Sequence, residues 1–131
     1  SSAGHRIEFA GFVNPEQLEQ YLGSASIGIN MLTAQSLNYK LSLGNKFFDY
    51  LHASIPAIHM NYPEYALLNK EFNVVELVED YSTSSLVTAV QTLNNIEHYK
   101  RLQNNCINAR HQLNWQKEEQ VLLSLYHQIN L

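Results

Sequence analysis

The sequence is poor in the residues that would mark several protein classes. It has one cysteine, Cys106, so no internal disulfide can form, and no Asn-x-Ser/Thr triplet occurs. Nothing therefore points to an oxidising compartment, and a cytoplasmic setting is expected. Five glycines and three prolines are too few for a collagen-like or low-complexity polymer. No apolar run approaches the eighteen or so residues that span a bilayer, and no secretory pattern opens the chain, so no transmembrane segment is expected. Cations are scarce as well. Eight Lys and Arg stand against twelve Asp and Glu, a formal charge of −4. That balance gives no diffuse attraction for nucleic acid, and any anionic ligand must be bound locally.

What is present suits one globular core. Of 131 residues 45% are hydrophobic, and eight are tyrosines. Ser1 to His5 read as a residual tag sequence and carry no weight. Ile7-Glu8-Phe9-Ala10-Gly11 alternates like a short strand ending at glycine, and Asn14-Pro15-Glu16 then opens a helix through Leu18 and Leu22. Ser26 to Asn30 is a second short strand pattern. Thr33 to Gly44 is polar, irregular and long for a connector, a place where function is expected. Phe47, Phe48 and Leu51 set a helical period from Asn45 that stops at Ser54-Ile55-Pro56, and Ala57 to Met60 reads as strand. Pro63 opens a further helix, and Val74 to Val78 is the last strand.

From Ser82 to the end the pattern is helical. Ser82 to Ser85 can cap a helix bearing Leu86, Val90 and Leu93. A stripe through Tyr99, Leu102, Cys106, Arg110 and Leu113 follows. A final helix after Asn114 presents Trp115, with Trp115 as its anchor, then Leu122, Leu125, Tyr126 and Ile129, and Glu118 and Glu119 suit its positive end. Strands alternating with helices imply an α/β fold with a doubly wound, Rossmann-like parallel sheet. About four strands are visible where such sheets have five or six, so one or two are expected upstream of residue 1. The whole of 1–131 reads as a single partial domain with residues 82–131 as a helical tail.

Ligands of open parallel sheets sit beyond the carboxyl ends of strands, and phosphates favour the N-terminus of the helix that follows. Ser36, Asn38, Tyr39, Gly44, Asn45 and Lys46 lie directly before or at such a helix start and make a candidate diphosphate cradle, with Lys46 as point charge. The six histidines show no metal-ligand spacing, so no metal site is expected. Gly-x-Ser-x-Gly, P-loop and Gly-x-Gly-x-x-Gly motifs are absent, which leaves hydrolase and dinucleotide readings without support. Glu76, Glu79 and Asp80 read as a solvated strand end.

Ser36-x-Asn38-Tyr39 followed by Gly44-Asn45-Lys46-Phe47-Phe48-Asp49-Tyr50-Leu51 and Ala53-Ser54-Ile55-Pro56 is similar to the donor-site motif of glycosyltransferase family four and its group-one relatives. Glu16 to Ile29 and Asn114-Trp115 resemble flanking stretches of the same family. The resemblance implies the C-terminal, nucleotide-sugar-binding half of a GT-B fold. Its donor is a nucleoside-diphosphate sugar with no cofactor or metal, and its acceptor is held by a missing N-terminal domain. By motif, Asp49 falls where a carboxylate holds the donor ribose and is the one catalytic candidate. Leu41 stands where relatives carry the first glutamate, and Ser54 stands where they carry glycine, which requires a positive φ there. The isolated chain is expected to turn over nothing and to self-associate through exposed sheet edge and cleft surface. It could sit peripherally at the inner membrane face through the missing domain. The alternative is a non-catalytic glycosyltransferase-like module for binding or assembly.

Overall fold

The computed structural model describes residues 4–129; Ser1 to Ala3 of the tag-like leader lie outside them. A three-residue 3-10 turn, Gly4–Arg6, precedes α1 (Pro15–Ser24), β1 (Gly28–Asn30), α2 (Leu37–Leu41) and α3 (Asn45–His52). Then come β2 (Ala57–Met60), α4 (Pro63–Phe72), β3 (Val75–Val78), α5 (Thr83–Leu93), α6 (Ile96–Ala109) and α7 (Trp115–Ile129). The three strands form an open parallel sheet in the order β1-β2-β3, with Ile29 opposite Ile58 and Ile58 opposite Glu76. The molecule is α/β, with a small sheet compatible with a Rossmann-like arrangement.

Local chemistry sets the helix boundaries. Asn14 closes a capping box with Gln17 and Pro15 occupies the first turn of α1. Ser82 and Asn95 accept first-turn amides of α5 and α6. Asn73 ends α4 in the left-handed region at φ 50°, a conformation asparagine tolerates. Asn69, one turn earlier, ties that end to β3, since its Oδ1 accepts the amides of Val74 and Val75 and its Nδ2 donates to Val75 O.

The core gathers where β2 is enclosed. Phe47 and Leu51 of α3, Tyr65 of α4, Ile58, Val74, Leu93, Leu102 and Cys106 are all essentially buried. α3 packs against β1, α4 against β3, and α5 against β2 and β3. α6 lies across the amino ends of the strands. Tyr99 Oη donates to Ser26 O at 2.7 Å, Asn105 Nδ2 to Asn73 O at 2.9 Å, and Arg110 Nη1 to His52 O at 3.2 Å. The start of α3 lies at the opposite, carboxyl end of β1, where the Gly44 position is close to Asn30 Nδ2.

Three sequence expectations are corrected. Ile7–Gly11 forms no strand, and Phe9 within it and Phe12 beside it are almost wholly exposed, because a strand needs a paired neighbour and none adjoins this segment. Part of the irregular stretch 33–44 is helical, as α2. Trp115 does not anchor α7: it is 64% exposed, and α7 buries none of its residues, including Leu122, Leu125, Tyr126 and Ile129. The corner before α7 is held by Asn114 instead, whose Nδ2 donates to Arg110 O and His111 O and whose Oδ1 accepts the amide of Lys117.

Candidate functional site

α3 begins beside the carboxyl end of β1. Its N-cap is Gly44, whose position lies close to Tyr65 Oη, Leu32 Cδ1 and Asn30 Nδ2. The Gly44 amide donates to Tyr65 Oη at 3.1 Å. No side chain caps this helix, and the amides of Asn45 and Lys46 find no acceptor among the described residues. Two unsatisfied N–H groups with a lysine at the same turn concentrate positive potential at the helix start.

Beneath it lies a buried polar and aromatic cluster that sequence reading did not find. Asn30 Nδ2 donates to His59 Nδ1 at 3.3 Å, and both residues are buried. The donation makes Nδ1 the acceptor and leaves the ring proton on Nε2, which has no partner. Burial pushes the His59 pKa down to about 4, so the ring is neutral near pH 7. His59 stacks on Tyr65 with ring centres 4.8 Å apart, and Phe47 and Tyr50 meet it edge-on. Tyr65 thus links the imidazole to the N-cap of α3. The only sequence trace of this cluster is a histidine inside the apolar run Ala57–Met60.

A second device fixes the loop after β1. Tyr62 Oη and Tyr81 Oη both approach Leu32 O, at 2.6 and 2.8 Å, and lie 2.5 Å from each other. Burial first, and then the hydrogen bond with Tyr81, raises the Tyr62 pKa to about 12.

The sequence-predicted residues fall in two groups. Gly44, Asn45 and Lys46 gather at the start of α3. Asp49 lies one turn on and lines a groove between α1 and α3 with Pro15, Leu18 and Leu22. Lys46 and Asp49, three residues apart, share that side of the helix. Asn45 instead lines a different cleft with Phe48 and His52. Ser36, Asn38 and Tyr39 belong to the exposed α2 and its cap, and Leu41 at its end is exposed as well. Ser54 has φ 58°, the positive value its glycine-like position requires, and its Oγ accepts from Arg110 Nη1 at 3.2 Å.

The acidic residues near β3 are engaged locally. Glu76 meets His98 Nε2 at 2.5 Å, Glu79 accepts from Asn61 at 2.5 Å, and Asp80 accepts the Ser82 amide. Among the described residues no group of three or more His, Cys, Asp or Glu is placed to hold a metal ion, and no helix is long and apolar enough to cross a membrane. Compared with protein-family models, curated proteins and solved structures, the chain matches none.

Proposed function

We propose that this chain binds the nucleoside diphosphate of a nucleotide sugar as the donor half of a GT-B glycosyltransferase, the acceptor being held by a further domain. The observation that carries the reading is the start of α3: uncapped amides of Asn45 and Lys46, with the Lys46 ammonium, beside the carboxyl end of β1. A diphosphate placed there meets N–H donors and a positive helix end. The ribose then runs along the Lys46 side of α3 to Asp49, where a carboxylate accepts its hydroxyls. Stabilisation of the leaving diphosphate by fixed dipoles and one ammonium is electrostatic, and no metal ion is required for it.

The strand order supports the same reading. In a doubly wound sheet of order 3-2-1-4-5-6, three adjacent parallel strands in sequence order fill positions four to six. The strand preceding them in sequence then belongs at position three, on the far edge, with two strands between. Ile7–Gly11 stands in that place in the sequence, and it pairs with none of the three strands.

Thermal unfolding with UDP, GDP, ADP and CMP, on the chain as it stands, tests the proposal. One nucleoside diphosphate raises Tm by several degrees at concentrations well above its Kd, because a ligand of the native state stabilises it. Lys46→Ala abolishes the shift and Asp49→Asn weakens it. Equal shifts in wild type and Lys46→Ala would place the nucleotide elsewhere and sink the reading.

A further inference from the structure

A cleft beside the start of α3 has a chemistry different from that of the diphosphate site. It encloses about 750 Å³ between α3, α4 and the corner that leads into α7. Such a volume accepts a small organic molecule. Its floor is apolar, built from Leu43, Phe48, Leu68 and Leu113, while Leu67 and Trp115 stand in it largely exposed. Its charge is of one sign. Glu64 and Glu71 lie two turns apart on α4, about 10 Å along the helix axis, and Glu118 lies one turn after Trp115. No Lys or Arg lines the cleft, and among the described residues the one ion pair is that of His98 with Glu76. His52, the basic group in the wall, is already bound through Nε2 to Leu113 O at 2.7 Å.

The geometry points to a binding site for a small organic ammonium ion with an apolar body. The body replaces water on the leucine and phenylalanine floor. The cation sits against the Trp115 ring, the aromatic face that attracts cations most strongly, with Glu118 and the two α4 carboxylates around it. An anion is refused by the same three carboxylates, and a neutral molecule of the same shape gains the floor but leaves the carboxylates uncompensated. The cleft therefore does not take the diphosphate group, although Leu43 and Asn45 bring it to the same end of α3. Its occupant is independent of the donor-site reading.

Trp115 is the only tryptophan of the chain, so its fluorescence reports the cleft directly. The probes are hexyltrimethylammonium, 1-hexanol and hexyl sulfate, which share one apolar tail. The expected result is a saturable fluorescence change with the ammonium, and affinity at least roughly tenfold lower for the alcohol and the sulfate, as three weak charge pairs and one cation–π contact together supply. The triple variant Glu64→Gln/Glu71→Gln/Glu118→Gln, checked by circular dichroism for retained fold, loses about the same factor. In the unaltered protein the ammonium affinity falls as salt is raised, since these charges face solvent. Equal binding of alcohol and ammonium, an unaffected triple variant, or affinity indifferent to salt would each overturn the assignment.

Discussion

The ring of Tyr50 lies flat over Gly28, so close that a Cβ at position 28 would stand 2.7 Å from three of its ring atoms. α3 can approach β1 only because that strand residue has no side chain. Tyr50 then reaches past the strand, and its hydroxyl donates to Ile29 O at 3.3 Å. Gly28 N donates toward β2, to Pro56 O at 3.0 Å, so by alternation the Ile29 carbonyl points to the unpaired edge. Tyr50 thus satisfies one acceptor on that edge.

Gly28→Ala is expected to destabilise the chain by about 1–3 kcal/mol, the usual penalty for overpacking a close contact. The added methyl also displaces Tyr50 from Ile29 O. Urea unfolding checks it, with Tyr50→Leu as the second arm: the alanine costs much less when the ring is gone. An unchanged midpoint for Gly28→Ala in the wild-type background would refute the contact.

Ser54 is strained where glycine would be relaxed. At φ 58° a residue with a Cβ costs about 1 kcal/mol, and the hydrogen bond from Arg110 to Ser54 Oγ offsets part of it. Ser54→Gly is therefore expected to stabilise by about 0.5 kcal/mol, and Ser54→Val, β-branched and without a hydroxyl, to destabilise by about 1–2 kcal/mol. Thermal melts of the two variants should move in opposite directions.

This serine also shows what could be read from the sequence. The positive φ at position 54 was implied by the family resemblance, which sets Ser54 where relatives carry glycine; the pattern itself placed only a turn at Ser54-Ile55-Pro56. The start of α3 at Gly44-Asn45-Lys46 was legible from the apolar period of Phe47, Phe48 and Leu51 that follows it. Long-range pairings were not legible. Asn30 and His59 lie 29 residues apart, and Tyr81 meets Leu32 O across 49. No local periodicity encodes such contacts. Ile7–Gly11 failed as a strand for a related reason, since alternation records a preference for pairing and cannot supply the partner. Trp115 failed as an anchor because an apolar stripe on α7 states that something should cover it, and none of the body does.

His59 gives stability a pH dependence whose sign follows from its burial. Its pKa is about 4 in the folded chain against 6.5 for a solvated imidazole, so the unfolded chain binds a proton in that window and the native one does not. Stability from this group is intact above about pH 6.5 and falls as pH drops toward 4, by up to about 3 kcal/mol in total. Urea unfolding midpoints at intervals between pH 7 and 4 should show this slope, and His59→Phe should flatten it whatever its absolute stability. An equal slope in both proteins would assign the effect to other groups.

Cys106 is 1% exposed in the core, and burial raises its thiol pKa to about 11. The thiolate, the species that attacks disulfide reagents, is therefore nearly absent at neutral pH. In the native chain a thiol reagent such as dithionitrobenzoate should react only at the rate of core opening, and within seconds once urea unfolds the protein. Stoichiometric labelling of the native chain within a minute would show that α6 does not hold this position closed.

The two tyrosines on Leu32 O couple the loop after β1 to the site. Each phenol carries one proton, so with both hydroxyls near one carbonyl and 2.5 Å apart, one donates to the carbonyl and the other can donate to its neighbour. Removing one hydroxyl leaves the carbonyl satisfied by the other, and Tyr62→Phe or Tyr81→Phe alone is expected to cost under about 1 kcal/mol. Removing both leaves the carbonyl without a protein donor, and the double variant should lose about 1–2 kcal/mol more than the sum of the singles. Leu32 Cδ1 also stands 3.7 Å from the Cβ position of Gly44, so release of this loop loosens the start of α3. The double variant should therefore lose the Tm shift with nucleoside diphosphate while each single variant keeps it. Strict additivity in the cycle would show that the two hydroxyls act separately and that the carbonyl needs neither.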